Sequence, residues 1–552
     1  MGADAKAICA RYERLWNDAA THFRYCDEMA PYLAPSRSGI LTKRVPGDKQ
    51  TRQVYDSTSM MAAELCAHFV AGQVINPAQL WGSMSMRHPR KGAQDAINEW
   101  LEESRDRMLS RLSQSMFYAE AVESKIDWVG FGTGFLLREE LPQPVNRTVQ
   151  GFRGFRFEAV KTGRFVIAEG ADGLVDTAYR CTMMSARQLV DRFGKQAVSE
   201  KVRQCMENQK PDEPFEILHA IYPRSLADQR YAAGATKMPW ASCWVEKDTK
   251  HLIHESGYRS FPGAIYRYTK TPGETMGRGR GHLAFPDVWT LNQAKHLALD
   301  DWALKISPPP LVAHDSVIGT LRLRPGTPTV INTRGRSIQD VIQPYQTGSR
   351  PEVSQIKEEE LRKNIRQILF VDQILMLMEV NKSEMTAEEW RSKIGLLFKI
   401  MGPVYGRAEH EFLRQIWDGV FDEMLAAGEF SDPPEELYET DGQIDTAFQN
   451  PIARAQRSGD VEAMTQTVQD LLPFAQFAPQ VFDRMDPEKS AAMIMEIRGY
   501  PARATRNDEE MQALATARQA QQQQEQQLAE AGQIAAAAGD ASKMVTALQG
   551  SA

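Results

Sequence analysis

Cysteine is scarce in this chain. Six occur in 552 residues (Cys9, Cys26, Cys66, Cys181, Cys205 and Cys243), and no two form a CxxC pair. Their scatter speaks against a disulfide or redox framework and for reduced thiols in a cytosolic setting. No apolar run approaches the roughly eighteen residues of a membrane span, so no membrane partner is expected. The opening MGADAKAICARYERLW has no apolar core of a signal peptide. Lys6 stands where an acylation signal wants Ser or Thr.

Motifs of catalysis are missing too. There is no GxxxxGK[ST] loop to cradle phosphates, no GxSxG elbow and no HExxH helix. GFGTGF (130–135) has clustered glycines, but it follows a helical pattern and precedes a strand. That is the reverse of a dinucleotide fingerprint, and it reads as a tight helix-to-strand turn. His251 and His254 share the segment HLIH, yet no third ligand is spaced to complete a zinc motif. Asp300 and Asp301 are adjacent, so their side chains diverge on a helix and belong to its solvated surface. GRGRG (277–281) is the sharpest basic motif. A phosphate site is conceivable there, but a flexible turn whose arginines pair with nearby carboxylates is the better reading. No catalytic, cofactor-binding or metal residue is expected, and no enzymatic activity.

What is present is a large, ordinary globular composition: 42% hydrophobic, 25% charged, and a formal net charge of −7. The length exceeds what one core usually organises, so two to four sub-domains are expected. An acidic balance opposes gripping of nucleic acid by the whole surface. It does not oppose a surface that DNA passes without sticking.

Along the chain, residues 4–34 read as an opening helix. YDSTSMMAAELCAHFVAGQVINP reads as a second, with Asp56 or Ser57 at its N-cap and Ala62, Leu65, Cys66, Phe69 and Val70 on one face. Residues 93–128 carry one long helical pattern. Short β-rich runs with glycine breaks follow, interrupted by the helical SARQLVDRFG with Gly194 at its end. The order predicts an α+β, mainly helical fold with no regular βα alternation. The run ARQAQQQQEQQLAEAGQIAAAAG (517–539) reads equally as an assembly-dependent helix or as disorder.

The central block is the most telling. After Pro286, helical signals run from Asp287 to Ile306 and end at Pro308-Pro309-Pro310. Val288, Leu291, Ala294, Ala298 and Trp302 form one apolar stripe, with Asn292, Gln293, Lys295, His296 and Asp300 off it. Residues 307–350 hold five arginines (Arg322, Arg324, Arg334, Arg336, Arg350) against Asp315 and Asp340, a local excess of +3. A second helical pattern occupies 352–370, with Lys357–Glu360 and Glu359–Lys363 placed to pair. Two helices flanking a small β insert make a hairpin that buries too little alone. Packing against copies of itself in a ring would satisfy it.

Several pieces together resemble the portal, or head-to-tail connector, proteins of T7-like short-tailed bacteriophages. They are YDSTSMMAAELCAHFVAG (55–72), DWVGFGTGFLLREE (127–140), GRGRGHLAFPDVWTLNQAKHLAL (277–299), SPPPLVA (307–313) and SEMTAEEWRSKIGLLFKIMGPVYGRAEHEFL (383–413). They stand in the family's order up to about residue 430. The resemblance implies a ring at one capsid vertex, with about twelve subunits. It implies a wing (1–276 and 390–449), a first stem helix (277–306), a clip (307–350) and a second stem helix (351–370). A channel-loop region (371–389), a helical crown (450–503) and a Gln/Ala-rich tail (504–552) would complete it. Implied partners are the major capsid protein and scaffold, the terminase motor, tail adaptor proteins and double-stranded DNA in transit. Implied DNA-channel candidates are Lys357, Lys363, Arg366, Asn381, Lys382 and Ser383; clip candidates are Arg322, Arg324, Arg334 and Arg336. The five stripe residues become stem packing. The implied location is the virion's portal vertex, and the host cytoplasm during assembly. Another virion protein (a tail adaptor or internal core protein) and a DNA-packaging enzyme are the alternatives.

Overall fold

A computed structural model describes residues 4–42, 47–86, 94–141, 152–225, 234–306, 310–312, 342–344, 351–378, 401–435, 444–448 and 463–472, with isolated positions between and beyond. The chain divides into two compact units. The larger comprises Met1–Gly82, Arg107–Phe430 and Phe448–Ala453; the smaller comprises Ser83–Asp106, Ser431–Ala447 and Arg454–Ala552. Helices and antiparallel sheets together make an α+β fold.

The larger unit opens with helix α1 (Ala5–Leu33), capped where Asp4 accepts the backbone N–H of Lys6 at 2.9 Å. Helix α2 (Thr58–Val74) buries Ala62, Cys66 and Val70 of the face read from the sequence, while Leu65 and Phe69 are only partly buried. Next in the chain comes strand β1 (Gly82–Met86), which was not expected from the sequence and belongs from Ser83 on to the smaller unit. The long helical pattern of 93–128 is two helices, α3 (Gln94–Gln114) and α4 (Phe117–Phe131). Ser115 explains the break. Its hydroxyl donates back to the carbonyl of Leu112 (2.7 Å) and accepts from the N–H of Phe117 (3.2 Å). A serine bonding its own backbone offers the chain an alternative to the helical ladder.

Helix α4 ends at Gly132, whose φ of +92° gives the tight turn expected of GFGTGF. The chain enters β2 (Thr133–Glu140), the middle strand of an antiparallel sheet between β3 (Phe155–Ala159) and β9 (Gly263–Arg267). A second antiparallel sheet runs in chain order: β4 (Phe165–Glu169), β5 (Val175–Ser185), β6 (Pro214–Pro223), β7 (Trp240–Glu246) and β8 (His251–Tyr258). His251 and His254 lie on this edge strand, and the His251 ring contacts the Ala197 carbonyl instead of a metal-ligand partner. Helix α1 and both sheets share one core through Tyr12, Phe23, Cys26, Phe135, Phe165, Tyr179 and Leu218. Between β5 and β6, α5 (Ala186–Phe193) and α6 (Glu200–Glu207) enclose a small core of Leu189, Val202, Phe215, Ile217 and Trp244. Ser185 and Gln188 form a reciprocal capping box at the start of α5, and Gly194 ends it at φ +88°.

Among the described residues, the rest of the larger unit is helical apart from one short ladder. Helix α7 (Arg280–Ile306) leads to β10 (Pro310–Val312), which pairs antiparallel with β11 (Ile342–Pro344). Helices α8 (Pro351–Ile368) and α9 (Val371–Met378) follow. A helical stretch at 401–408 passes through a π-turn (Glu409–Leu413) into α10 (Arg414–Ala426). In the smaller unit β1 pairs with β12 (Ile444–Phe448). There Ser83 donates to the carbonyl of Ala447 (3.1 Å) and the indole of Trp100 to that of Ser431 (2.9 Å).

Buried arginines fasten the larger unit. Arg267, 1% exposed, donates to both Glu411 and Glu169, joining β9, the π-turn and β4. Arg138, fully buried, reaches Glu423 of α10 at 2.9 Å. Arg180 joins Glu139 (3.2 Å), Glu158 (2.9 Å) and the Nδ1 of His219 (3.1 Å). Burial, then Arg180 and Arg192, hold His219 well below the usual imidazole range. Its neutral ring stacks on Trp244 with centroids 4.0 Å apart. Paired this way, buried charges are tolerated, and removing one partner of such a pair costs about 3–5 kcal/mol.

Lys125 is different. Its ammonium position is buried, has no hydrogen-bond partner, and lies 3.6 Å from the Phe412 ring centroid and 4.0 Å from that of Tyr266. Ring faces attract a cation by about 2 kcal/mol when desolvated. Stripping water from an ammonium costs several kcal/mol, so the amine is held neutral, well below its ordinary lysine pKa. An unfolded chain protonates Lys125 and the folded chain does not. Stability therefore rises with pH up to the ordinary lysine range. Lys125→Met should raise the denaturant midpoint at neutral pH and flatten that rise; urea titrations of both proteins from pH 6 to 10 check it.

Candidate functional site

The functional candidates converge on the pair α7 and α8 and on the ground where that pair meets the sheets. The pair runs out and back. At the outer end β10, leaving α7, pairs with β11, which leads into α8. At the inner end the guanidinium of Arg280, first residue of α7, lies 4.3 Å from the ring of Phe370, just past the end of α8. Midway, Lys295 donates to Glu358 at 2.9 Å.

The root of α7 is a contact of backbone with backbone. GRGRG is not a flexible turn, as the sequence suggested, but a close crossing over the end of α4. A Cβ at Gly279 would lie 2.7 Å from the Gly132 nitrogen and 2.9 Å from the Gly130 carbonyl oxygen. One at Gly281 would lie 2.6 Å from Leu33 and nearer still to Gly130. Hydrogen bonds use this proximity: Gly277 N–H donates to the Thr133 hydroxyl (2.8 Å) and Tyr268 N–H to the Gly132 carbonyl (2.8 Å). The two arginines are occupied. Arg278 pairs with Glu274, as the carboxylate reading required, while Arg280 donates to the Tyr268 hydroxyl at 3.0 Å.

Helix α7 begins at Arg280, seven residues before the sequence-based start at Asp287, and Pro286 lies inside it. Proline at 286 cannot donate to the carbonyl four residues back. That carbonyl, of His282, accepts instead from the hydroxyl of Tyr25 at 3.3 Å. The neighbourhood also gathers two histidines and a cysteine. Cys26 Sγ lies 3.3 Å from His22 Nε2, and the rings of His22 and His282 stack with centroids 5.4 Å apart. Burial lowers His22 to about 4 and His282 to about 3, so both rings are neutral at neutral pH.

The apolar stripe is graded. Val288 and Leu291 are buried, Ala294 and Ala298 are half-buried, and Trp302 is 48% exposed. Asn292, placed off the stripe by periodicity, is in fact buried at 2% exposure. Its side chain accepts from Tyr55 N–H (2.7 Å) and donates to the Gln53 carbonyl (2.8 Å), pinning the strap that leads into α2. Sequence periodicity sees only hydrophobicity, so a buried amide serving a backbone was invisible to it. From α8, Arg362 pins the same strap through Asp56 at 2.9 Å. Burial pushes the Asp56 carboxyl up, but hydrogen bonds from Thr58 and Arg362 outweigh it and leave it lowered. Beyond Asn292 no residue of α7 is buried, and Leu297 (66%), Trp302 and Ile306 (83%) face outward.

The basic candidates are distributed as follows. Lys357 is exposed and pairs with Glu360 at 2.9 Å, as the spacing predicted. Glu359 pairs with Arg362 and Arg366, not with Lys363, which is exposed. Arg366 also pairs with Asp372 at 3.2 Å. Helix α8 has four bases (Lys357, Arg362, Lys363, Arg366) and four acids (Glu352, Glu358, Glu359, Glu360) in its sequence, so it carries no net charge. His296 lies 3.1 Å from Asp300 and Lys305 2.8 Å from Asp301, consistent with a solvated helix surface for the two aspartates. The segment expected to loop from 371 is helical through Met378. Asn381, Lys382 and Ser383 lie outside the described residues, as do Arg322, Arg324, Arg334 and Arg336. Among the described residues, no helix is long and apolar enough to cross a membrane.

Comparison with known proteins decides the family. The profile described as "Bacteriophage head to tail connecting protein" matches residues 5–505. The chain belongs to this family of bacteriophage connector proteins. It is 26% identical to the "Portal protein" of Salmonella phage epsilon15, over 97% of this chain and 94% of that protein. It is 25% identical to the "Probable portal protein" of Bordetella phage BPP-1, over 95% and 93% respectively. The connector's role is structural, not catalytic. The helix pair and its glycine root are thus features of a phage connector.

The root allows a test with opposed signs. Alanine is favoured over glycine in a helix by about 1 kcal/mol, but at Gly281 its Cβ meets fixed backbone and the contact wins. Gly281→Ala should cost about 2 kcal/mol or more. Gly72→Ala, in α2 with nothing near its Cβ, should be neutral or stabilising. Denaturant midpoints of the two variants measure the contrast.

Proposed function

We propose that this chain is one subunit of a closed ring at a single capsid vertex, through which double-stranded DNA is packaged and later ejected. The observation that carries the reading is the outer half of α7. Past Asn292 it extends about fourteen residues, or about 21 Å, with Leu297, Trp302 and Ile306 uncovered. In a family of phage connectors, a helix left apolar and bare is satisfied by a neighbouring copy. Obligate interfaces between identical subunits bury such surfaces. Of the stripe, Val288 and Leu291 are already packed inside the subunit, so Ala294, Ala298 and Trp302 would line the seam beyond the root.

On this reading α7 and α8 are the stem, 307–350 the clip, and 1–276 with 390–449 the wing. Residues 450–503 form the crown and 504–552 the tail. The ring has about twelve subunits. It meets the major capsid protein and scaffold at its wing, and the terminase motor and then tail adaptors at its clip, where Arg322, Arg324, Arg334 and Arg336 supply positive charge. Assembly takes place in the host cytoplasm. The bore passes DNA because its walls do not grip it. Affinity for a duplex grows with the number of phosphates neutralised. A stem helix with equal acids and bases offers only brief contacts from Lys357, Lys363 or Arg366, with Asn381, Lys382 and Ser383 at the channel loop.

Native mass spectrometry and negative-stain images of the purified full chain test this. The expected result is a ring of about twelve subunits with a central hole; monomers or open filaments would overturn it. The double variant Leu297→Glu/Trp302→Glu should weaken each interface by roughly 2 kcal/mol or more and yield folded monomers. Intact rings from that variant would refute the seam.

A further inference from the structure

Among the described residues, one set of metal-ligating side chains comes together, and the structural role above does not use it: His22, Cys26 and His282. His22 and Cys26 are four apart on α1 and therefore share a face. His282, in the first turn of α7, meets them from the other side. One donor atom from each lies within 4.8 Å of the others. We infer that His22, Cys26 and His282 form a binding site for a zinc-like divalent cation that ties the opening helix to the root of α7.

Three observations carry this. The first is distance. Zinc bonds of about 2.3 Å to sulfur and 2.0–2.1 Å to nitrogen, at tetrahedral angles, set donors about 3.3–3.6 Å apart. Cys26 Sγ and His22 Nε2 stand at 3.3 Å already. His282 has to approach by about 1 Å, a side-chain adjustment. The second is an orphan. Nε2 of His282 is shut off from solvent and has no hydrogen-bond partner, a condition that is unfavourable in a folded protein. The third is donor chemistry. Two neutral imidazoles and one thiol are a borderline-soft set suited to zinc and unsuited to magnesium or calcium. His22 is only half-buried, so the cluster has a side toward solvent from which a cation, with water as its fourth ligand, would arrive.

Proton and charge bookkeeping close. Gly279 N–H donates to His282 Nδ1 at 3.2 Å, so Nε2 carries the proton in the metal-free chain. Ligation through Nε2 moves that proton to Nδ1 and gives up the Gly279 bond. Ligation through Nδ1 replaces the bond directly. The Cys26 thiol releases its proton to solvent as the thiolate bonds the cation. One positive charge remains. The carboxylates of Asp127 and Asp27 bear on Cys26, and Glu274 bears on both imidazoles against the opposing charge of Arg278.

The test uses the reduced full-length chain, stripped with chelator and titrated with Co²⁺ alone. The expected result is one cobalt per chain, with the visible bands of four-coordinate cobalt and a thiolate-to-cobalt charge-transfer band. Zinc should bleach both. Cys205→Ser should keep the bands and Cys26→Ser should lose the charge-transfer band. His22→Gln, at a half-exposed position, should fold with an unchanged near-UV circular dichroism spectrum. It should bind zinc at least about tenfold more weakly. Cobalt binding without a thiolate band, or zinc affinity unchanged in His22→Gln and Cys26→Ser, would overturn the site. Because none of these readouts depends on oligomeric state, failure here is distinct from failure of the ring.

Discussion

The structure depends on a place where two stretches of main chain touch with no side chain between them. Gly277, Gly279 and Gly281 lie against Gly130 and Gly132, and every other feature of the helix pair starts from that contact. It puts the first turn of α7 on the elbow between α4 and β2. From there Ala284, Val288 and Leu291 find the buried surface beneath them. The same placement brings Arg280 over Phe370, and so fixes where α8 ends relative to where α7 begins. Phe370 takes a φ of +60° to make the turn into α9, a conformation that a bulky residue adopts only when its surroundings hold it there.

Charge is divided between two uses. In the body of the larger unit, Arg138, Arg180 and Arg267 are buried with carboxylates from distant parts of the chain, and they act as ties between strands and helices. On α8 acids and bases are equal in number: Lys357–Glu360 and Arg366–Glu359 pair near the surface, while the buried Glu358 takes Lys295 of α7 and Arg362 reaches Asp56. Surface pairs of this kind contribute little stability each. Their effect is electrical: they cancel the field that a row of lysines and arginines would create.

Much of this was legible in the residues. The antiparallel strands showed as short alternating runs, the turn at Gly132 as a glycine cluster between a helix and a strand, and the paired helices as two periodic stretches around a proline-rich break. The errors have physical causes. Pro286 reads as a helix boundary because its missing N–H is visible in the sequence, while the Tyr25 hydroxyl that relieves the stranded carbonyl is 257 residues away along the chain. Asn292 reads as surface because an amide is polar, though the partners that make it a core residue lie near residue 55. The helical pattern of 93–128 hid a break because Ser115 is unremarkable until its hydroxyl is seen to take both roles. His22, Cys26 and His282 could not be grouped, since nothing local links an i,i+4 pair on one helix to the first turn of another.

The bare half of α7 has a mechanical meaning. It is a cantilever, clamped at Gly277–Gly281 and unsupported along the outer face past Asn292. Side-chain contacts can slide between rotamers and absorb an error in tilt, but a clamp of backbone on backbone cannot. Each copy of the chain therefore presents its outer length at nearly the same angle. Angular error at a clamp grows with distance from it, so the apolar residues furthest out, Trp302 and Ile306, are the most sensitive gauge of alignment. A shift at the three root glycines is therefore read out, enlarged, at the exposed residues of the tip.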